Sequence, residues 1–445
     1  MLLGGPVPSG PALEQCPKGG QHSAAFIGLW VQLVVRAGVS MRGVAAVLEL
    51  VGEYTGHTFP IPHETTGRGW LLRLGLAELV KPLEQADDWV LFADHSVQIG
   101  SQKLFVITGV RAAHQPPAGL ALQLGDQQLI GLVPMTDSNA TSVQAELERA
   151  VVRIGIPRAI VSDQGSDVKS GVARFCEAHP ETLAISDIAH RAACLLKPRF
   201  EQDERWARFV KLAGQTKAQV AQTELAGIRP PSLRTKARFM NVDPLITWGI
   251  KAHRLLVRCR TRHAPAGMTV ARVEEKLQWL NEFADALQEW REWMQVKDVA
   301  LTVVRRQGHS THTPDLLDRA QPRPLAHSSS SELADQFLAF VTAQSAPLRP
   351  GERLPGSSEV LESTFGKFKT LERDQSQGGF SSLILSLGTV LSQSRKTLTG
   401  TLTQGLDTTI KHGMELCGIK RVTQWLAQNL GPTVSSQRNT AFNTD

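Results

Sequence analysis

The pattern of apolar and polar positions changes character twice along this 445-residue chain. Between residue 25 and about residue 75, apolar residues recur at helical spacing in three short runs separated by glycine and proline, which predicts three helices. From Trp89 onward the apolar runs are short, rich in β-branched and aromatic residues, and separated by brief polar links. This second pattern predicts three adjacent strands in an antiparallel meander.

Beyond residue 137 the pattern alternates between helices and short buried strands. The run DSNATSVQAELERAVVRIG predicts a helix, RAIVSDQG a strand, KSGVARFCEAHP a helix and TLAISDIAH a final strand. The complete order, β-β-β-α-β-α-β-α, resembles that of an RNase H-like domain. It predicts an α/β core with a mixed five-stranded sheet and flanking helices.

The remaining segments are predicted to be helical or loose, so we divide the chain into six parts. They are a disordered tail (1–24), a helix-turn-helix-like DNA-binding domain (25–80), the first part of the RNase H-like core (85–190), a large α-helical insertion (191–350), the last part of the core (351–400), and a C-terminal helical segment with a loose tail (401–445). The helix-turn-helix interpretation depends on a glycine-containing turn and on a third helix that carries Arg68 and Arg73. A generic helical bundle is the open alternative.

Composition excludes several classes of protein. The mean hydropathy of −0.14 and the absence of an apolar run of roughly 20 residues argue against a membrane protein. Five scattered cysteines, never spaced CxxC, argue against a disulfide framework or a zinc site. We therefore expect a cytoplasmic protein, associated with the nucleoid if it binds DNA.

Positive charge is concentrated in one stretch. Residues 191–262 hold 16 Lys and Arg against 5 Asp and Glu, a net +11, so the rest of the chain carries −5 of the overall +6. The two interpretations are a solvated helical surface and a surface that contacts phosphate. Under the second, the candidate contacts are Arg229, Arg234, Lys236, Arg238, Arg254 and Arg258.

Two aspartates follow buried strand sequences. Asp94 is predicted to end the first strand and Asp163 to end the fourth. Strands one and four are neighbours in an RNase H-like sheet, so the two carboxylates would lie side by side. Such a pair repels, which makes a divalent cation their natural companion. Local capping of the backbone by each aspartate is the alternative.

The stretch GSSEVLESTFGKFK, residues 356–369, predicts a helix with a third acid. At helical spacing Leu361, Phe365 and Phe368 share an apolar face. Glu362 borders that apolar face, whereas Glu359 points toward solvent. Lys369 lies two turns after Glu362 on the same side of the helix. Glu362 is therefore the predicted third ligand, with Glu359 as the alternative third acid.

These motifs resemble the DDE transposases of bacterial insertion sequences. The resemblance rests on ADHSVQIG, IVSDQGSDVKSG, DIAHRAACLLK and SSEVLESTFGKFK. It implies catalytic, metal-binding roles for Asp94, Asp163 and Glu362 with two Mg²⁺ or Mn²⁺ ions, and a supporting role for Asp187 and His190. It also implies double-stranded DNA as the partner, contacted by Lys367 and Lys369 among others, and a homodimer or higher oligomer on that DNA. The gap of 199 residues (362 − 163) exceeds that of compact members and coincides with the basic helical insertion.

Three rival functions remain open: an RNase H-like nuclease or resolvase, a non-catalytic DNA-binding protein derived from a transposase, and a helical scaffold whose acids are incidental. Two further candidates are weak. His309 and His312 have metal-like spacing but no partner ligands. Trp279, Trp290 and Trp293 could stack on an unpaired base, although their helical spacing favours a place in the core.

Overall fold

The computed structural model describes residues 20–99, 102–114, 122–163, 165–232, 242–261, 267–373 and 382–392, with Cys16 and Leu120. The chain divides into two compact units. The first consists of Met1–Ile185 and Ser358–Asp445, and the second of Ser186–Ser357. The predicted segment 401–445 and most of the predicted tail 1–24 lie outside the described residues. No helix in the described part is long and apolar enough to cross a membrane.

Three helices open the first unit: α1 (Ala24–Val35), α2 (Met41–Thr55) and α3 (Glu64–Val80). They match the three predicted helices. The Ser40 hydroxyl accepts the Gly43 N–H at 3.0 Å and so caps the start of α2. Gly56 ends that helix with φ +70°, a left-handed conformation that glycine adopts without a steric cost.

A five-stranded mixed sheet forms the centre of this unit. Its strands are β1 (Trp89–Ile99), β2 (Gln102–Arg111), β3 (Gln128–Met135), β4 (Ala159–Ser162) and β5 (Leu183–Ser186), in the order β3-β2-β1-β4-β5. β1 pairs antiparallel with β2 and parallel with β4, and β2 pairs antiparallel with β3. The predicted meander and the predicted contact between strands one and four are both confirmed. The arrangement is compatible with an RNase H-like core.

One face of the sheet is covered by α4 (Ala140–Ile154) and α5 (Ser166–Ala178). Trp89, Leu91 and Ala93 of β1 and Ile160 of β4 belong to the apolar core on this side. Side chains alternate between the faces of a strand, so the intervening residues of β1 and β4 point to the opposite face.

The second unit is helical, as the sequence predicted for 191–350. Its helices are α6 (Ile188–Gln202), α7 (Glu204–Val220), α8 (Val242–Thr261), α9 (Val270–Leu277), α10 (Ala284–Gln307), α11 (Thr313–Ala320) and α12 (Ser328–Ser345). Its apolar core is continuous and rich in aromatic rings, with Trp290 and Phe209 fully buried.

The chain then returns to the first unit with α13 (Glu359–Arg373) and α14 (Ser386–Leu391). α13 packs against β1, and α14 packs against α3. The second contact is very close, because a Cβ placed on Gly75 would lie 1.7 Å from the carbonyl oxygen of Leu385. The Thr389 hydroxyl also donates to the Leu71 carbonyl at 2.5 Å. α3 is therefore held firmly to the part of the chain that follows the catalytic candidates.

Candidate active site

Asp94 and Asp163 lie on neighbouring strands at the same level of the sheet. The parallel register pairs Phe92 with Val161 and Ala93 with Ser162, so the next step brings Asp94 beside Asp163. Asp163 directly follows β4, as predicted. The prediction that Asp94 ends its strand was wrong. β1 continues to Ile99 because β2 supplies an antiparallel partner along its whole length, and Asp94 itself pairs with Val106.

Both aspartates belong to the face of the sheet on which α13 packs. Leu91 and Ala93 point toward α4 and α5, so strand alternation turns Asp94 toward the opposite face. The same alternation runs from Ile160 through Ser162 and gives Asp163 the same direction. Since α13 contacts β1 on that face, its acidic first turn belongs to the side of the sheet that carries the two aspartates.

The predicted apolar face of α13 is confirmed, since Leu361, Phe365 and Phe368 are buried. Lys367 and Lys369 are exposed, which a contact with DNA phosphate requires. The predicted contrast between the two acids is not seen, because Glu359 and Glu362 are both half-buried. Exposure therefore does not choose between them. Glu362 remains the preferred third acid only from its position beside the apolar stripe.

A buried polar bridge attaches the start of α13 to the sheet. The hydroxyl of Thr108, on β2, donates to Gln127 Oε1 at 2.6 Å. Gln127 Nε2 donates in turn to the carbonyl oxygen of Val360, over a longer 3.4 Å. Both side chains are almost completely buried, so a loss of either hydrogen bond would leave a polar group without water. The bridge ends two residues before Glu362, and no sequence pattern indicated it.

The two aspartates also bond to local backbone. Asp94 Oδ1 accepts the His95 N–H at 2.6 Å, and Asp163 Oδ1 accepts the Gly165 N–H at 3.0 Å. This is the local capping that the sequence left open. Carboxylate oxygens are the ligands that hard divalent cations prefer. Among the described residues, however, no group of three or more His, Cys, Asp or Glu side chains is close enough to hold a metal ion. Joint binding of a metal ion by Asp94, Asp163 and Glu362 therefore stays a prediction.

A second polar cluster lies on the other face of β1, and no sequence pattern predicted it. His95 Nε2 is 3.1 Å from Asp167 Oδ2 and 2.8 Å from Ser138 Oγ. Lys103 Nζ is 3.5 Å from the same Asp167 oxygen. The available signal was the second acid of SDQGSD, Asp167, four residues after Asp163 in a segment already singled out. The cluster joins β1 and β2 to the beginnings of α4 and α5, directly beside the loop that carries Asp163.

Together, burial and the neighbouring polar groups shift the pKa values of both Asp167 and His95 downward. Burial raises the pKa of Asp167, but the Ser138 hydroxyl, His95 and other donors outweigh it and lower the pKa to about 2. Burial lowers the pKa of His95, and the nearby Asp167 offsets this only in part. The pKa of His95 is therefore below its ordinary value, whereas Asp167 is ionised.

Asp187 and His190 belong to the second unit, where Asp187 caps a helix. Its carboxylate is fully buried and accepts the backbone N–H groups of Ala189 and His190 at the start of α6. Asp187 is therefore the N-cap of α6, and a supporting role for it in catalysis stays a prediction. His190 is half-buried.

The predicted DNA contacts are only partly described. Arg68 and Arg73 lie on α3 and are half-buried, on a helix whose Trp70, Leu71 and Leu74 are in the core. α3 is thus mainly a packing helix, and a role in DNA recognition stays a prediction. Arg234, Lys236 and Arg238 lie outside the described residues.

The weak candidates of the second unit have structural roles. Each indole N–H is satisfied internally: Trp279 donates to Thr216, Trp290 to Asp203 and Trp293 to Ser329. These rings therefore belong to the core, as their spacing favoured. His309 is completely buried and burial lowers its pKa to about 4, whereas His312 is exposed. The two histidines do not form a site together.

Comparison with known proteins adds little. No family model matches the chain, and no curated protein matches it. Among solved structures, the chain is similar to a strand transfer complex of the Drosophila P element transposase. The identity is 13%, the match covers 85% of this chain and 95% of that chain, and the TM-score is 0.39. A likeness this weak does not by itself establish a common fold.

Proposed function

We propose that this chain is a DDE-type transposase of a mobile element such as a bacterial insertion sequence. It would cut DNA at the element's ends and join them to a new site, in a reaction that needs a divalent metal. One observation carries the proposal. Asp94 on β1 lies beside Asp163, which directly follows the parallel neighbour β4 of a mixed five-stranded sheet, and the helix that bears Glu362 packs on the same face.

The three carboxylates would hold the metal and fix its position relative to the scissile phosphate. Two Mg²⁺ or Mn²⁺ ions, when bound, supply Lewis-acid polarisation of the phosphate and neutralise charge at the attacking and leaving oxygens. Asp94, on the central strand β1, would be one of the residues that hold the metal. Lys369, exposed seven residues after Glu362 and about 10 Å further along α13, would contact a neighbouring phosphate.

The chemistry fits this set of residues without a covalent enzyme intermediate. Water attacks phosphorus, the bond to the 3′-oxygen breaks, and a 3′-hydroxyl is left. That hydroxyl then attacks a phosphodiester of the target DNA, so one phosphodiester bond forms as another breaks. Tyr54, the single tyrosine of the chain, is not required as a nucleophile.

The test is the replacement of each acid by its amide. Asp94→Asn, Asp163→Asn and Glu362→Gln should each lower cleavage at least about 100-fold, because each removes a metal ligand whose contribution is several kcal/mol. Binding of the same duplex should remain. The substrate is a duplex carrying the DNA that flanks the coding region, incubated with Mg²⁺ or Mn²⁺, and both cut and joined strands are measured.

Glu359→Gln is the matched control, since Glu359 lies one turn before Glu362 and is buried to a similar degree. Activity lost in Glu359→Gln but kept in Glu362→Gln would make Glu359 the third acid. Cut strands without joined strands would identify a nuclease or resolvase instead. Metal-independent binding with neither product would leave a DNA-binding protein without catalytic activity.

A further inference from the structure

The excess positive charge of the chain belongs to the helical unit. Residues 186–357 contain 26 Lys and Arg against 18 Asp and Glu, a net +8. The other unit, which carries the candidate acids, has 22 against 24, a net −2. A polyanion is therefore attracted to the helical unit, and the question is which of its surfaces remains available.

Much of the basic charge in this unit is neutralised by partners within it. Four basic side chains of the stretch 191–262 form ion pairs: Lys197 with Glu201 (3.7 Å), Arg205 with Asp203 (2.9 Å) and Glu289 (2.7 Å), Arg208 with Glu282 (2.5 Å), and Arg260 with Glu274 (2.7 Å). Three of these acids lie outside the stretch whose charge the sequence highlighted: Glu274 on α9, Glu282 in the turn before α10, and Glu289 on α10. The net +11 of that stretch therefore overstates the charge that could meet a ligand.

The outer face of α8 differs from these surfaces. Lys251, Arg254 and Arg258 are spaced three and four residues apart, so they form one row along the helix. All three side chains are exposed, and none of them forms an ion pair or a hydrogen bond within the described part of the chain. The buried residues of α8, such as Leu256, lie on the opposite side of the helix.

Helix electrostatics do not account for this row. Basic residues near a helix C-terminus compensate the helix dipole, and Arg258 in the last turn of α8 fits that explanation. Lys251 does not, because it is at the tenth of twenty positions. The only acidic residue of α8, Asp243, is in the first turn, about 12 Å before Lys251. The row is therefore an unshielded line of charge about 10 Å long.

We infer that this row is a docking surface for the phosphate backbone of duplex DNA, and that the paired basic residues of α6 and α7 are not. The choice of DNA rests on the proposed function and on the chemistry of the row. Two of its three members are arginines, whose planar guanidinium matches phosphate in two hydrogen bonds. A duplex presents about six phosphate charges over 10 Å of its axis, so the row can meet several at once.

The segments on either side of α8 continue the basic character in sequence. Arg234, Lys236 and Arg238 precede the helix, and Arg262 follows it. An interfacial membrane helix would need a row of large apolar residues beside the cations. α8 exposes only Val257 among its large apolar side chains, which favours a polyanion in solution over a lipid surface.

The experiment compares two triple variants of the full chain that lose equal charge. Lys251→Gln/Arg254→Gln/Arg258→Gln removes the row, and Lys197→Gln/Arg208→Gln/Arg260→Gln removes three paired, exposed cations of the same unit. Fluorescence anisotropy measures the binding of a labelled random-sequence 30-base-pair duplex between about 50 and 300 mM KCl. Circular dichroism confirms that both variants fold, as expected for exposed positions.

Loss of the row should reduce the slope of log K against log[KCl] by about 2 to 3, close to 0.9 for each lost phosphate contact, and the control variant should change it by less than about 1. Equal changes in both variants, or no change in either, would refute the inference and leave the proposed function standing. Failure of the unmodified chain to bind the duplex would refute both. Equally tight binding of poly-glutamate would assign the row to an acidic protein instead.

Discussion

The contact between α3 and α14 allows a quantitative prediction about the N-terminal helices. Gly75 lies where α3 meets α14, and an added Cβ would lie 1.7 Å from the Leu385 carbonyl oxygen and 2.6 Å from its carbon. Real Cβ atoms do not approach closer than 3.0 Å, so Gly75→Ala must separate the two backbones by at least 1.3 Å (3.0 − 1.7). The obstructing atoms are backbone, so no rotamer change can relieve the overlap.

The magnitude follows from two opposing effects. Alanine stabilises a helix interior by about 1 kcal/mol relative to glycine. Overpacking costs about 1 to 3 kcal/mol, and more where the backbone must move. We expect the overpacking to dominate and Gly75→Ala to destabilise the contact by about 2 kcal/mol. Gly69 is the matched control on the same helix, because an added Cβ there has nothing within 4 Å, and Gly69→Ala should stabilise by about 0.5 to 1 kcal/mol.

Hydrogen–deuterium exchange of the full chain separates these outcomes, since it reports each helix by its own peptides. Gly75→Ala should accelerate exchange in 382–392 about 30-fold, which corresponds to about 2 kcal/mol, whereas Gly69→Ala should slow exchange in α3. Equal, neutral or protective effects of both substitutions would refute the packing argument. If the prediction holds, α14 depends on its contact with α3. A test of DNA recognition that deleted residues 1–80 would then also disturb α14, so substitution of Arg68 and Arg73 is the better test.

Two further predictions concern buried polar contacts. Burial lowers the pKa of His327, but hydrogen bonds with Glu292 and Asp285 outweigh it and raise that pKa above its usual value. His327 should therefore stabilise the fold by about 1 kcal/mol at pH values below its unfolded pKa of about 6.5. This stabilisation should be lost as the pH rises through the folded pKa. A difference in melting temperature between the unmodified chain and His327→Gln that does not shrink from pH 6 to pH 8 would contradict this. In the bridge to α13, Thr108→Val should cost about 1 to 3 kcal/mol because it leaves Gln127 Oε1 buried without its donor. Combined with Gln127→Met, the cost in urea unfolding should be about 1 kcal/mol less than the sum of the single substitutions, and strict additivity would show that the two side chains are not coupled.

Local sequence patterns were sufficient to predict the helices and strands and their order along the chain. Apolar periodicity identified the three N-terminal helices, the five strands and the apolar face of α13, because each depends on residues a few positions apart. The caps of α2, Ser40 and Gly56, are local features of the same kind, because each acts within the neighbouring turn of its helix. The order of strands and helices also predicted that β1 lies beside β4, which brings Asp94 next to Asp163.

What the sequence alone could not decide depends on partners distant in the chain. β1 continues past Asp94 because β2 pairs with it, and the paired state of Arg208 depends on Glu282, 74 residues away. α3 has a pattern typical of many short helices, and only its contact with α14, more than 300 residues later, makes it a packing helix. Hydrophobic periodicity shows which side of an element is buried. Tertiary packing decides which surface covers that side, and it therefore also decides which charges and carboxylates come into contact.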